Sequence, residues 1–231
     1  LKERIRDIIN RINRTAFSCG RSPEKIRLVA VTKTVPAEKI SLAVALGISV
    51  IGESYIREAR DKYGILSGLP VSRHFIGHLQ TNKAKYAVRM FDLIHAVDSI
   101  RLAAEIDIQA RKINKIQDVL IQINIGRENT KSGMDEEDLP EAINETARFQ
   151  NISVKGLMAI PPFFDDPESV RPYFARLRVL RDKIRGSIPE NAAGNFSMDE
   201  LSMGMSGDFE AAIEEGATLV RIGTAIFGER E

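Results

Sequence analysis

Leu28-Val29-Ala30-Val31-Thr32-Lys33-Thr34-Val35-Pro36 opens with four apolar residues, passes through a polar turn that holds one lysine, and reaches a proline. The unbroken apolar run suits a strand buried on both faces, as in a parallel sheet. Pro36 suits the first turn of a helix, where its missing N–H costs no bond, and Gly47 is placed to close that helix. Strand, polar turn and helix together make one βα unit.

The rest of the chain repeats this unit. Strands are expected at Ser49–Ile51, His74–Ile76, Leu93–Val97, Val119–Asn124, Val154–Ile160, Leu201–Met203 and Leu219–Ile222. Helical stretches fall between them, around 54–63, 81–89, 99–111, 135–149, 167–185 and 207–215. The clearest is 167–185, with Val170, Phe174, Leu177 and Ile184 along one face. Ahead of the first unit, Leu1, Ile5, Ile8 and Ile12 keep helical spacing over 1–17. After the last strand, Gly223-Thr224-Ala225-Ile226-Phe227-Gly228 leaves room for a short helical turn.

Eight such units in 231 residues fit an α/β fold, a single (β/α)8 TIM-type barrel with an extra N-terminal helix, as one domain over 1–231. A doubly wound open sheet competes with it. The barrel is favoured because eight units are found and no G-x-G-x-x-G follows the first strand.

Composition narrows the function classes. Hydrophobic residues make up 43% of the chain, enough for a large core and against disorder. The 33 basic and 32 acidic residues nearly cancel, leaving no electrostatic reason to expect nucleic acid or an anionic membrane. No apolar run approaches the ~20 residues of a membrane span, and the start has no signal-peptide core. Cys19 is the one cysteine, so no internal disulfide or cysteine metal cluster forms. A soluble, cytoplasmic monomer is expected.

In a (β/α)8 barrel, function sits on the loops after the strands. Lys33 follows the first strand directly. Among apolar walls an amine loses proton affinity, and a neutral amine attacks an aldehyde. A solvated loop lysine is the plain alternative. In Leu201-Ser202-Met203-Gly204-Met205-Ser206-Gly207-Asp208, Ser206 fits the N-cap of the next helix, and Gly204 and Gly207 let backbone N–H groups approach an anion. Gly223 and Thr224 offer a second N–H pair and a hydroxyl, and loops after strands 7 and 8 are the usual phosphate site. Simple capping and chain turning explain the same residues, and Asp208 and Glu210 would repel an anion held too near. Arg221 is nearly alone as a charge in Leu219–Phe227, so it faces a ligand or a buried carboxylate.

Other candidates are weaker. His74 and His78 are four apart, but Gly77 and the strand-like run speak against a helical metal pair. His95 reads as a satisfied core histidine. Asp135-Glu136-Glu137-Asp138 reads as a helix first turn, and Asp165-Asp166 as turn chemistry.

Taken in order, Val29-Ala30-Val31-Thr32-Lys33-Thr34, Gly52-Glu53-Ser54-Tyr55, His74-Phe75-Ile76-Gly77-His78-Leu79-Gln80-Thr81-Asn82-Lys83, Gly156-Leu157-Met158-Ala159-Ile160-Pro161, Leu201-Ser202-Met203-Gly204-Met205-Ser206 and Val220-Arg221-Ile222-Gly223-Thr224-Ala225-Ile226-Phe227-Gly228 resemble the pyridoxal phosphate homeostasis proteins. The resemblance covers essentially the whole chain. It implies the alanine racemase N-terminal barrel (PLP fold type III) and pyridoxal 5′-phosphate (PLP) held as a Schiff base on Lys33. Ser206, Gly223 and Thr224 would hold the phosphate, Arg221 would face the pyridine nitrogen, and Ser54 and Met205 would complete the cofactor site. Arginine there, in place of a carboxylate, weakens the ring as an electron sink. The family usually has asparagine at Ser54, tryptophan at Arg73 and proline at His78. The first change is expected to shorten a polar contact near the cofactor, the others to alter the rim around strand 3.

The racemases that share this barrel carry a second domain, which brings a catalytic tyrosine to a partner subunit's cofactor. This sequence stops at Glu231, just past the barrel, so an open cofactor face is expected. The resemblance therefore implies a carrier or regulator of PLP, with PLP-dependent enzymes as recipients and no established catalysis. An amino-acid racemase is the alternative. A cofactor-free Schiff-base aldolase is a third reading, although its lysine usually comes from a mid-barrel strand.

Overall fold

Eight parallel strands close on themselves in strict chain order. They are β1 (Arg27–Val31), β2 (Val50–Glu53), β3 (Ser72–Phe75), β4 (Leu93–Val97), β5 (Gln117–Ile123), β6 (Ile152–Ala159), β7 (Phe196–Ser202) and β8 (Leu219–Ile222). The ring is sealed by β1 against β8, with Val29 opposite Arg221. The structure, a computed structural model, describes residues 1–128, 132–188 and 195–229.

Helices α2 (Ala37–Ala45), α3 (Ile56–Leu66), α4 (Ala84–Met90), α5 (Ile100–Arg111), α6 (Leu139–Thr146), α7 (Arg171–Arg185) and α8 (Phe209–Glu214) follow strands one to seven, and the short α9 (Thr224–Phe227) follows β8. This is the expected barrel, with α1 (Lys2–Ser18) as the extra leading helix. Pro36 sits at the N-cap of α2 with φ near −59°, ready for a helix. Gly47, just past its end, takes φ +104°, which only glycine adopts without strain.

Two apolar layers result from strand alternation. Val29, Val50, Ile76, Leu93, Leu120, Met158 and Leu219 fill the barrel interior. The opposite strand faces pack under the helices, where Val170, Phe174, Leu177 and Ile184 are all buried, as the periodicity of that segment predicts. At the N-terminal end of the barrel, Arg27 pairs with Glu200 at 2.6 Å and Lys155 with Asp118 at 3.4 Å.

Helix α1 buries Ile5, Ile8 and Ile12 and docks on the last units. Arg11 donates twice to Glu210, at 3.0 and 2.9 Å, and lies 4.7 Å over the Phe209 ring. Past α1, Arg21 donates to the carbonyls of Ile213 and, at 2.8 Å, Ala217. Strand β6 slips register at Gly156, where it lies so close to β7 that an added Cβ would be 1.9 Å from the Glu200 carbonyl oxygen. Among the described residues no helix is long and apolar enough to cross a membrane.

Candidate functional site

The seven residues singled out in the sequence meet in one place. Lys33, Ser54, Met205, Ser206, Arg221, Gly223 and Thr224 all line a cavity of about 370 Å³ at the C-terminal mouth of the barrel. Val31, Ile76 and Ile160 form its apolar wall. Phe163, 85% exposed, stands at its edge on the loop after β6, a residue that sequence reasoning passed over. Its signal was an aromatic on a post-strand loop, the segment where barrels place function.

The turn that carries Lys33 is clamped from beneath. Thr32 Oγ1 donates to Glu53 Oε1 at 2.6 Å, and Lys62 Nζ donates to the Thr32 carbonyl at 2.8 Å. On the far side of Lys33, Thr34 N–H donates to Glu58 Oε1 at 2.5 Å. Lys62 bridges the two carboxylates, at 3.1 Å from Glu53 and 2.6 Å from Glu58. Thr34 has φ +63°, a left-handed conformation that a β-branched residue resists. The clamp holds it there, and so fixes where the backbone on both sides of Lys33 runs. Burial pushes the Glu53 carboxyl above its ordinary value, against the opposing pull of Thr32 and Lys62. Sequence reading missed Glu53, Glu58 and Lys62. The visible hint was the i,i+4 pair Glu58 and Lys62 beside a strand ending in a carboxylate.

Beside Lys33, the loops after β7 and β8 bring donors to the cavity. The Ser206 and Thr224 hydroxyls lie 3.2 Å apart, joining the loops after β7 and β8. A Cβ on Gly223 would sit 3.3 Å from Val31 Cβ, so glycine keeps this end of β8 tight against β1. The expected N-cap role of Ser206 is corrected: Asp208 occupies that position, and α8 begins at Phe209. Asp208 Oδ1 instead accepts from the Met205 N–H at 2.5 Å, which folds the turn and leaves the Ser206 hydroxyl to face Thr224. Glu210 is engaged by Arg11. Neither acid lines the cavity, and no carboxylate does among the described residues. Two basic residues, Lys33 and Arg221, line the same space.

Arg221 is buried on the inward face of β8. It donates through Nη1 to Ser202 Oγ at 2.6 Å and through Nη2 to the Ala159 carbonyl at 2.9 Å. Burial lowers its pKa to about 10, still far above neutrality, so the guanidinium stays charged and donor-only. These two bonds hold it in the wall of the cavity.

The remaining candidates separate. His74 points into the barrel and bonds His95, which is fully buried, as expected for a satisfied core histidine. His78 stands at the rim, 3.1 Å from Ser132 Oγ and 3.3 Å from Asp98 Oδ2, and lines an adjoining cavity of about 420 Å³ that also touches Lys33 and Ser54. Arg73 is not at the rim: it lies on the outward side of β3, 5.6 Å from the Tyr63 ring of α3. The reason is strand alternation, since His74 takes the inward place. Gly77 brings the loop after β3 against Ser54, where an added Cβ would be 2.1 Å from the Ser54 carbonyl oxygen. Gly77→Ala is expected to spread these loops and lower stability by about 2 kcal/mol, roughly 4–8 °C in Tm. A thermal melt measures this, and an unchanged Tm would show that the loops part freely.

With this geometry in place, comparison with known proteins is direct. The model of the alanine racemase N-terminal domain family matches residues 7–231. The pyridoxal phosphate homeostasis protein of Aquifex aeolicus is 46% identical over 229 residues, spanning 99% of this chain and 98% of that one. The protein of the same name from Escherichia coli K12 is 40% identical, over 96% of this chain and 93% of its own. Among solved structures, PipY of Synechococcus elongatus with PLP bound superposes with a TM-score of 0.81 at 33% identity, covering 94% of this chain and 100% of that one. Barrel, mouth cavity and whole-length identity agree: the chain belongs to the alanine racemase N-terminal domain family and, within it, to the pyridoxal phosphate homeostasis proteins.

Proposed function

We propose that this protein binds PLP covalently through Lys33 and works in PLP homeostasis, as a cytoplasmic, monomeric carrier that yields the cofactor to PLP-dependent enzymes. The observation that carries this reading is one cavity lined by a lysine, by the hydroxyls of Ser206 and Thr224 and by the Arg221 guanidinium, with no carboxylate among its described lining residues. That donor set suits an anionic, phosphorylated aldehyde with a ring nitrogen.

Bound PLP supplies an aldehyde carbon to amines and a ring that draws electrons most strongly when its nitrogen is protonated. The chain's own residues divide the work. Lys33 provides the amine at the end of β1. Ser206 and Thr224, with the backbone at Gly223, hold the phosphate. Ser54 and Met205 border the ring. Arg221, which has donors and no acceptor, would face the ring nitrogen and keep it unprotonated. This favours holding the cofactor over catalysing with it.

The purified protein is expected to show a visible absorption band after PLP is added, and borohydride reduction should fix the cofactor to Lys33 in peptide maps. A colourless protein, or a label elsewhere with Lys33 untouched, would sink the proposal. Ser206→Ala with Thr224→Val should weaken PLP binding by at least about tenfold, while pyridoxal without its phosphate should bind both proteins alike. Single enantiomers of amino acids test the racemase reading: turnover at enzyme rates, abolished by Lys33→Ala, would replace the carrier role.

A further inference from the structure

A line of polar side chains runs through the barrel interior, where apolar filling is the rule. It starts at Arg221 in the cavity wall and passes to Ser202 of β7, at 2.6 Å. Ser202 Oγ then meets His95 Nδ1 of β4 at 2.9 Å, and His95 Nε2 meets His74 Nδ1 of β3 at 3.0 Å. His74 Nε2 lies 3.1 Å from Ser72 Oγ, which is 3.4 Å from Asp92 Oδ2. Ser72, His74 and Asp92 border a small pocket of about 170 Å³ at the opposite, N-terminal end of the barrel. Ser202, His95 and His74 are all buried.

The direction of every bond in this line follows from its first member. Arginine has no acceptor, so Arg221 must donate to Ser202. Having accepted there, the Ser202 hydroxyl needs an acceptor for its own hydrogen, and His95 Nδ1 is its other partner. Nδ1 of His95 is then bare, and its proton sits on Nε2. That proton goes to His74 Nδ1, so His74 likewise carries its proton on Nε2 and gives it to Ser72, whose hydroxyl points to Asp92. The reverse order would leave the Ser202 hydrogen buried without an acceptor, which is costly. Both rings remain neutral: burial pushes His74 down to about 3 and His95 well below its ordinary value.

We infer that Ser202, His95 and His74 are positioning residues for Arg221, forming a one-directional hydrogen-bond line across the barrel that aims the guanidinium at the cofactor's ring nitrogen. The inference rests on the placement of PLP proposed above. Ser202 ties up one guanidinium nitrogen and the Ala159 carbonyl another, so the planar group has little freedom to swing. The histidines fix Ser202 in turn, because a serine hydroxyl alone rotates to suit any partner.

Histidine side-chain nitrogen spectra of the cofactor-free, 15N-labelled protein test the line without PLP. The chain has three histidines, so single substitutions assign them. His95 and His74 are both expected as neutral Nε2–H rings, unchanged between pH 6 and pH 8. A proton on Nδ1 of either ring, or a charged ring at pH 6, would overturn the inference. With PLP added, Ser202→Ala should raise the PLP dissociation constant about tenfold and move the visible band. His95→Asn keeps an acceptor near Ser202 and should retain the parent band, whereas His95→Leu should lose it. Equal bands and affinities in all three variants would reject the positioning role. If a variant does not fold, the tautomers of the parent protein still decide. A parent protein with the expected tautomers that takes up no PLP would refute the cofactor site instead, and reversed tautomers in a protein that binds PLP would refute this line alone.

Discussion

Gly156→Ala is expected to abolish most folded protein, or to lower stability by about 4 kcal/mol or more where some fold survives. The new Cβ would stand 1.9 Å from the Glu200 oxygen and 2.7 Å from its carbonyl carbon, both backbone atoms that no rotamer change can move aside. Strands β6 and β7 would have to part at their register slip. Ser202 lies just beyond, paired with Met158, so the damage would reach the support of Arg221. Urea unfolding followed by circular dichroism measures it. Gly64→Ala is the control: Gly64 sits in α3 with nothing within 4 Å of the added atom. Helix propensity alone then predicts a gain of up to about 1 kcal/mol. A Gly156→Ala variant as stable as its parent would mean that the strands are not in close approach.

Lys62→Met should have the next largest effect, about 3–5 kcal/mol, because it strips the cation from two carboxylates, one of them fully buried. The loss should depend on pH, and the sign follows from Glu53. Burial already raises this group above its ordinary value, so the folded state binds its proton more readily than the unfolded chain. Stability of that kind falls as pH rises from the ordinary carboxyl value through the raised one. Without Lys62 the raised value climbs further, so the variant should be most impaired at neutral pH and partly recover near pH 5. Unfolding curves at the two pH values give the result, and an equal deficit at both would refute the account. PLP uptake at Lys33 should also fall where the variant is still folded, because Thr32 and Thr34 lose their common anchor.

Much of the fold was legible because buried parallel strands are apolar runs. Leu93–Val97 and Leu219–Ile222 match β4 and β8 to the residue. Strand β7 was read as Leu201–Met203 but spans Phe196–Ser202, since its first half carries Ser197, Asp199 and Glu200. Glu200 pairs with Arg27 and Asp199 with Arg185, and these polar positions hide the strand pattern. Helical stretches from 81, 135 and 167 were legible, but they open with 3-10 turns at Thr81, Glu136 and Pro167. The residues that line the mouth cavity were legible through strand ends and glycines. Their supports were not, because Ser202, His95 and His74 come from three strands, and periodicity says which way a side chain faces without saying what it meets across a barrel. The Asp208 turn escaped for a related reason: Ser206 and Asp208 both suit an N-cap, and only the fold of the turn chooses between them.

The docking of α1 onto α8 has a consequence for how the molecule is made. Lys33 belongs to the first unit, and its cavity partners Ser206 and Thr224 belong to the seventh and eighth. A ribosome-bound chain that has emerged only through β6 therefore displays the lysine without the Ser206 and Thr224 hydroxyls. Arg11 waits 199 positions for Glu210, and β1 waits nearly as long for β8. Such distant closures are slow to find one another. The proposed cofactor site makes capture a late event in biogenesis, and a solution of nascent or truncated chains should take up no PLP until the ring has shut.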